Sequence, residues 1–222
     1  MPDHSTLSRR AKTVTVLAPL ATANDPERLL VDSTGVKLCG PGDWLVETHG
    51  TRRRRAWRKL HIGLDAATGR IVAATLTDHD VDDASQVGPL LDQSAEPLEA
   101  VIADGAYDQS GVYEAVSSRQ PETAVVVPPR STAVPSDPAR SEPTPRNRHM
   151  QAIADSGRMA WQATSGYNSR ALVKAFFSRY KHVIGDSLRS HTDDRQQTEI
   201  GVAVLVLNRM LDLGRPDTVR IR

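Results

Sequence analysis

Cysteine is almost absent from this sequence, which contains only Cys39. A disulfide within the chain is therefore excluded, and the composition is typical of a reducing compartment. Cys39 is predicted to be a small packing residue, because no histidine is paired with it in an arrangement that would activate a thiolate. A secretory signal is disfavoured, since Pro19 and three threonines interrupt the short apolar run that follows Arg9, Arg10 and Lys12. We expect the protein to be cytoplasmic.

Long apolar stretches are also missing, because no segment approaches the ~20 apolar residues that a membrane-spanning helix needs. The sequence therefore predicts no membrane partner.

Charge of one sign is not in excess either, since the formal net charge is +1. Hydrophobic residues make up 39% of the 222 residues, which is enough for one sizeable core. We expect one folded domain at residues 29–222, preceded by a remnant or linker at residues 1–28.

The positive charge that is present is concentrated in a basic tract between residues 52 and 59. Its cations are Arg52, Arg53, Arg54, Arg55, Arg58 and Lys59. A dense cluster of this kind is able to face the phosphates of a nucleic acid. The alternative is a solvated hairpin tip without a ligand, and the tract alone does not decide between the two.

The pattern of apolar residues predicts a mixed α/β fold. "RLLVDSTGVKL" is rich in β-formers, and "RKLHIGLDAATGRIVAATLT" alternates on both sides of a turn at Thr68 and Gly69, so three consecutive strands are expected. A helix at "DDASQVGPLLDQS", a strand ending at Asp104, a second helix and a short strand follow. Residues 128–148 are rich in Pro, Ser, Arg and Thr without periodicity, which indicates a surface loop or a disordered insertion. Long helices, one of them from about Asn168, complete a mixed sheet with helices outside it.

Two aspartates stand out because of their positions in buried strands. Asp32 interrupts the apolar run of the first strand, where a carboxylate is costly unless a cation or a metal ion neutralises it. Asp104 ends a later buried strand. A second interpretation stays open for both, because aspartate also initiates turns and Asp104 is followed by Gly105. Both are therefore candidate site residues on local sequence, but a turn role is equally compatible with it.

A cationic stripe is predicted on the helix that follows Gly166. At about 100° per residue, Tyr167, Arg170, Lys174 and Lys181 fall within an arc of about 60°. An apolar face lies opposite, so the stripe is expected to point outward. The stripe contains no acid, whereas ordinary solvated helix faces mix both signs of charge. A purely cationic stripe favours a polyanion as partner.

The spacing of Tyr167, Arg170, position 174 and Lys181 resembles the Y-R-E-K signature of bacterial insertion-sequence DDE transposases. Four further blocks are similar to this family in the same order, namely "VDSTGVK", "RKLHIGLDAATG", "DGAYD" and "LNRMLDLGRP". The similarity extends from about Ser5 to the C-terminus. The family usually has a longer helical region at its N-terminus, so the resemblance implies an N-terminally truncated copy.

The resemblance implies a ribonuclease H-like fold, in which a mixed sheet carries helices on both faces, and a transposase catalytic domain at residues 29–222. It implies that Asp32 and Asp104 bind Mg²⁺ or Mn²⁺ at the ends of adjacent strands, in a two-ion site. Two such ions activate a water or a 3′ hydroxyl for in-line attack on a phosphodiester. Tyr167, Arg170 and Lys181 are implied as contacts to double-stranded DNA at the ends of the element. Assembly as a homo-oligomer on DNA is implied in the same way.

The sequence departs from the family at Lys174, where the signature has the glutamate that completes the catalytic set with Asp32 and Asp104. A lysine there adds a repulsion beside a divalent cation, and unit charges ~4 Å apart interact by about 4 kcal/mol at an effective dielectric near 20. Asp186 is no obvious substitute, because it lies about 120° around the helix and beyond Gly185. The sequence therefore predicts a transposase whose DNA cleavage and strand transfer are impaired.

Two other functions stay open. A non-catalytic DNA-binding remnant that competes with an intact transposase would bind DNA in a salt-sensitive and metal-independent way. A metal-dependent phosphatase is weakly indicated by "VDSTG", but that chemistry needs a second acid two residues after Asp32, where the sequence has Thr34. His61 is interpreted as a strand histidine that pairs with a neighbour, and not as a metal ligand.

Overall fold

The computed structural model describes residues 28–38, 57–94, 97–135 and 143–214. Its strands are β1 (Arg28–Leu38), β2 (Trp57–Asp65), β3 (Ile71–Asp78), β4 (Ala100–Ile102), β5 (Ala124–Val126) and β6 (Ser187–Leu188). Its helices are α1 (Val87–Leu91), α2 (Ser110–Arg119), α3 (Pro145–Ser156), α4 (Arg158–Thr164), α5 (Ala171–Val183) and α6 (Asp193–Asp212). Short 3₁₀ turns lie at Ala84–Gln86, Gly105–Tyr107 and Tyr167–Arg170.

β1 is the central strand of a sheet with the order β3-β2-β1-β4-β5. β2 is antiparallel to β1 and to β3, and a turn with Gly69 at φ 71° closes the β2–β3 hairpin. A positive φ suits glycine because it has no Cβ. β4 and β5 run parallel to β1, and β6 pairs in parallel with the far end of β1 at Lys37 and Leu38. The predicted mixed α/β sheet is confirmed.

Alternate side chains of β1 enter two separate cores, as the twofold period of a strand requires. On one face, Leu30 packs with Phe176 of α5 and Leu207 of α6. On the other face, Leu29 packs with residues of α1 and α2, among them Val112. The sheet therefore carries helices on both faces, and the ribonuclease H-like arrangement that the resemblance implied is confirmed.

One part of the predicted loop at residues 128–148 is helical, and the expectation is wrong there. α3 begins at Pro145, which suits the first turn of a helix because its missing N–H has no partner to lose. The hydroxyl of Thr144 caps the helix by accepting a hydrogen bond from the Asn147 N–H at 3.2 Å. No side chain of α3 is fully buried, so apolar periodicity could not indicate this helix. Residues 136–142 lie outside the described part of the chain.

Several predictions concern residues outside the described ranges, namely residues 1–27, Cys39 and the cations Arg52–Arg55. The boundary between an N-terminal remnant and the domain therefore stays a prediction. Arg28, the first described residue, already belongs to β1 and forms an ion pair with Glu99 at 2.7 Å. Within the described ranges, none of the helices has both the length and the apolar character that crossing a membrane requires.

Candidate active site

The sheet brings Asp32 and Asp104 together. Leu30 of β1 is paired with Ile102 of β4, and the two aspartates each lie two residues further along these parallel strands. β4 ends at Ile102, whereas β1 continues, so Asp32 stands within its strand and not at the end that the resemblance implied. Beyond Leu30, β1 is no longer paired with β4. We call Asp32 and Asp104 the carboxylate pair.

Each carboxylate is also held by backbone N–H groups. Oδ1 of Asp32 accepts a hydrogen bond from the Ser33 N–H at 2.9 Å. Oδ1 of Asp104 accepts one from the Ala106 N–H at 2.9 Å, which caps the 3₁₀ turn at Gly105–Tyr107. One oxygen of each carboxylate is thus fixed by its own loop or strand, while the Oδ2 atoms are directed to a shared partner.

That shared partner is Arg170. Its Nη2 donates to Asp32 Oδ2 at 3.0 Å and to Asp104 Oδ2 at 2.8 Å, and the residue is buried at 9% exposure. The expected outward orientation of the stripe is therefore wrong for Arg170. The physical reason is twofold: residues 167–170 form a 3₁₀ turn, in which positions do not advance by 100° per residue, and two carboxylates attract the guanidinium inward.

The other members of the stripe are less enclosed. Lys174 is exposed on α5, yet its charge acts on Asp32, because it is one of the influences that oppose the rise of the Asp32 pKa. Tyr167 is partly buried with its ring centroid 5.4 Å from that of Trp161, and burial raises the pKa of its hydroxyl. Lys181 is exposed near the end of α5. The structure thus places Arg170 at the carboxylate pair, has the charge of Lys174 act on Asp32, and leaves Lys181 on the surface.

The pKa of Asp32 is raised above its ordinary value of 3.8. Burial is the main cause, since it disfavours the charged carboxylate. The Arg170 guanidinium and the Ser33 N–H oppose this effect, Asp104 adds to it by repulsion, and Lys174 opposes it weakly. The positive charges of Arg170 and Lys174 therefore favour the ionised form of Asp32, against the effects of burial and of Asp104.

The structure adds polar residues beside the site that the sequence did not indicate. Oδ2 of Asp83 accepts a hydrogen bond from the Ser33 hydroxyl at 3.0 Å, and its Oδ1 lies 3.0 Å from Lys59 Nζ. The Tyr107 hydroxyl is buried without a hydrogen-bond partner in the described part of the chain. Burial raises the pKa of Tyr107, and the charges of Asp83 and the carboxylate pair raise it further. The tyrosine of "DGAYD" was the one available signal, because it follows Asp104 by three residues.

The two described cations of the basic tract are occupied by protein groups. Arg58 of β2 is buried, and its Nη1 donates to Gln196 Oε1 at 2.8 Å and to Asp193 Oδ1 at 3.0 Å. Lys59 donates to the Val81 carbonyl oxygen at 2.7 Å and pairs with Asp83. Contacts of Arg58 and Lys59 with DNA stay a prediction, and the structure gives both side chains partners within the fold.

The carboxylate pair fits one hard cation better than two. Mg²⁺ is commonly bound by one or two carboxylates, with water and substrate phosphates completing its coordination. Asp32 and Asp104 supply two such carboxylates. Within the described residues, however, there is no group of three or more His, Cys, Asp or Glu side chains that could hold a metal ion. Position 174, where the resemblance implies a third carboxylate, is occupied by Lys174.

Comparison with solved structures gives low similarities. A piggyBac transposase synaptic complex with hairpin DNA matches at 8% identity and a TM-score of 0.46, over 85% of this chain and 47% of the other. The intasome of simian T-cell lymphotropic virus, in complex with PP2A regulatory subunit B56 gamma, matches at 13% identity and a TM-score of 0.33, over 69% of this chain and 49% of the other. This chain spans about half the length of either, and neither match supports an argument about function.

Comparison with protein families is decisive. A model described as a transposase DDE domain matches residues 23–209, which include the carboxylate pair, Arg170 and Lys174. A second model with the same description matches residues 1–41. Members of this family are transposases, which cut and join DNA and generally use divalent metal ions. Since the first model covers most of the sequence, this chain belongs to the transposase DDE domain family.

Proposed function

We propose that this chain is the catalytic domain of an insertion-sequence transposase that binds element-end DNA and whose metal-dependent cleavage and strand transfer are impaired by Lys174. One observation carries the proposal. Asp32 and Asp104 each lie two residues beyond the paired residues Leu30 and Ile102. Arg170 lies between the two carboxylates, and the charge of Lys174 acts on Asp32. Two strand carboxylates beside a cationic helix are suited to holding a phosphodiester and a metal ion together.

In this proposal Asp32 and Asp104 hold Mg²⁺ or Mn²⁺. The ion, when bound, lowers the pKa of an attacking water and stabilises the charge that develops on a phosphodiester. The backbone N–H groups of Ser33 and Ala106 fix one oxygen of each carboxylate and so orient the pair. The side chain of Asp32 is partly buried, with an exposure of 16%.

Lys174 impairs this chemistry because it replaces a negative charge by a positive one at the third position. Its ammonium repels a divalent cation and supplies no oxygen for a second one. Lys174 is exposed, so its side chain is able to turn toward solvent and soften the repulsion. The loss of the third ligand remains even then, and we expect reduced rather than redirected activity.

Double-stranded DNA is the proposed partner, with Tyr167, Arg170, Lys181 and Arg52–Arg55 as its contacts. Lys181 is exposed, and Tyr167 lies at the rim of the site. Arg58 and Lys59 are omitted from this proposal, since both already have partners within the protein. Assembly of several copies on DNA is proposed only by analogy with the family.

The test is a titration of Mn²⁺ and Mg²⁺ by calorimetry into the full chain and into its Lys174→Glu variant. We expect the variant to gain an ion-binding site, and we expect Asp32→Asn in that background to abolish the gain. Arg209→Glu, which makes the same charge change at an exposed position of α6, serves as the matched control and is expected to leave ion binding unchanged. A parent that already binds two ions as tightly as Lys174→Glu would show that position 174 does not belong to the site.

The second candidate is a non-catalytic DNA-binding protein that competes with an intact transposase. The observation that favours it is the local charge balance, because the cations Arg170 and Lys174 offset the charges of Asp32 and Asp104. This function predicts DNA affinity that falls with salt and is unaffected by metal. Nicking of a supercoiled plasmid by the parent chain, with Mn²⁺ and not without it, would rule this candidate out.

A further inference from the structure

We propose that Arg170 is the resident cation of the carboxylate pair, so that a divalent ion binds only by displacing its guanidinium. This inference rests on the proposed function, because it assigns the same two aspartates to the ion. It adds a regulatory consequence: whatever draws Arg170 away from the pair, such as a phosphate group of DNA, raises the affinity of the site for the ion.

The first support is the position of the guanidinium. A single nitrogen, Nη2, bonds to Oδ2 of both Asp32 and Asp104, at 3.0 Å and 2.8 Å. A cationic nitrogen that donates to one oxygen of each carboxylate stands where an ion bridging the same two groups would stand. An ion that bridges these two oxygens would occupy the position of Arg170 Nη2 and be repelled by its charge, so we expect the two cations to compete for this position.

The second support is that the guanidinium of Arg170 does not use all of its hydrogen-bond donors in this contact. Arginine binds a carboxylate most strongly through two parallel N–H···O bonds, whereas here one nitrogen serves two carboxylates. The Arg170 Nε–H is buried and has no hydrogen-bond partner in the described part of the chain. A guanidinium with an unused buried donor is poorly satisfied, and a phosphate able to accept two bonds is the better partner.

The third support is the environment on the solvent side of the pair. Lys174 is exposed and its charge reaches Asp32, and Tyr167 lies at the start of the same turn as Arg170. The exposed positive charge of Lys174 therefore favours the approach of a phosphodiester to this surface. Binding linkage is reciprocal, so a phosphate that captures Arg170 strengthens ion binding by the same factor as the ion strengthens phosphate binding.

The experiment compares Mn²⁺ affinity, measured by calorimetry on the full chain, in the parent and in Arg170→Gln. We expect the variant to bind Mn²⁺ on the order of tenfold more tightly, the change that corresponds to one charge-assisted contact of moderate strength. Arg158→Gln is the matched control. It removes a nearby cation whose Nη2 donates to the Pro129 carbonyl oxygen at 3.0 Å, and we expect no change in Mn²⁺ affinity.

Two further variants keep the test decisive. Arg170→Lys keeps the positive charge at the pair and should stay close to the parent in Mn²⁺ affinity, even if Arg170→Gln proves unstable in urea unfolding. Asp32→Asn in the Arg170→Gln background should abolish the gain. Survival of the gain in that double variant would place the ion elsewhere and overturn the inference.

The outcomes separate this inference from the proposed function. If Lys174→Glu gains an ion site while Arg170→Gln binds Mn²⁺ no more tightly than the parent, the proposed function stands and the role of Arg170 is wrong. If Arg170→Gln binds more tightly and Lys174→Glu gains nothing, Arg170 is the resident cation and position 174 lies outside the ion site. Equal gains in Arg170→Gln and Arg158→Gln would reduce the effect to general charge and overturn the inference.

Discussion

Replacement of Arg58 by methionine tests whether this cation serves the fold or a ligand. Its side chain is 10% exposed, and its Nη1 donates to Gln196 Oε1 at 2.8 Å and to Asp193 Oδ1 at 3.0 Å. These contacts join β2 to the first turn of α6. Methionine retains a long apolar side chain at this position but has no hydrogen-bond donor.

The expected cost follows from the exposure of the two partners. Gln196 is buried, so the loss of its donor leaves Oε1 unpaired at a cost of about 1–3 kcal/mol. The Asp193 side chain is 89% exposed, so water solvates its carboxylate once Arg58 is removed. The loss of this ion pair therefore costs about 0–1 kcal/mol. We therefore expect the free energy of unfolding to fall by about 2 kcal/mol, which for a domain of this size lowers Tm by about 4–8 °C.

The assay is urea unfolding followed by circular dichroism, with DNA binding measured in parallel at several salt concentrations. Arg58→Met combined with Gln196→Met should recover part of the loss, because neither member of the pair is then unpaired. The salt dependence of DNA binding should be unchanged in Arg58→Met, whereas Lys181→Ala should reduce the log–log slope by about 1. Unchanged unfolding together with a reduced slope in Arg58→Met would refute the structural role and restore the DNA contact.

Three further predictions concern the stability of the sheet. Burial lowers the pKa of His61 from 6.5 to about 4. Between these two pH values the imidazole is protonated in the unfolded chain and not in the folded one. The free energy of unfolding therefore falls as the pH decreases, by up to about 1.4 kcal/mol per pH unit. Urea unfolding at pH 7 and pH 5 should show a smaller loss in His61→Gln, and an equal loss would contradict this. Asn208 bonds both the N–H and the carbonyl oxygen of Ile71, at 2.9 and 2.8 Å, so Asn208→Leu should cost about 1–3 kcal/mol for each group left unpaired; an unchanged Tm would refute it. A Cβ at Gly63 would lie 2.8 Å from Leu29 Cδ1, so Gly63→Ala should destabilise by about 1–3 kcal/mol, and by less in a Leu29→Val background; equal losses in both backgrounds would exclude this contact.

The fold was largely predictable because its central strands have a clear apolar pattern. The segment "RLLVDSTGVKL" coincides with β1, and the turn at Gly69 has the positive φ that glycine favours. The helix at Pro145 was not predicted, because it buries no side chain fully and its composition resembles that of a loop. Its only local signal was the Thr144–Pro145 cap, which a proline-rich context concealed. Periodicity thus detects elements that pack closely and misses those that only cover the surface.

The sequence indicated the two aspartates of the candidate site, but it did not indicate how the Arg170 side chain is oriented. Asp32 and Asp104 were indicated because each breaks the apolar pattern of a strand, and the sheet register then brings them together. The inward orientation of Arg170 was not predictable from helical angles, since a 3₁₀ turn precedes α5. Asp83 was also missed, because its hydrogen bond joins it to Ser33, 50 residues away in the sequence.

The balance of charges at the site separates folding from catalysis. Two adjacent carboxylates repel each other, and a fold that relied on a metal ion to hold them would weaken without it. Here the single positive charge of Arg170 lies within hydrogen-bond distance of both carboxylates, and the charge of Lys174 also acts on Asp32. The Arg170 contacts therefore offset the repulsion between the two carboxylates within the protein itself. On our proposal, this is the physical reason why a copy with impaired strand transfer would still present an intact surface to DNA.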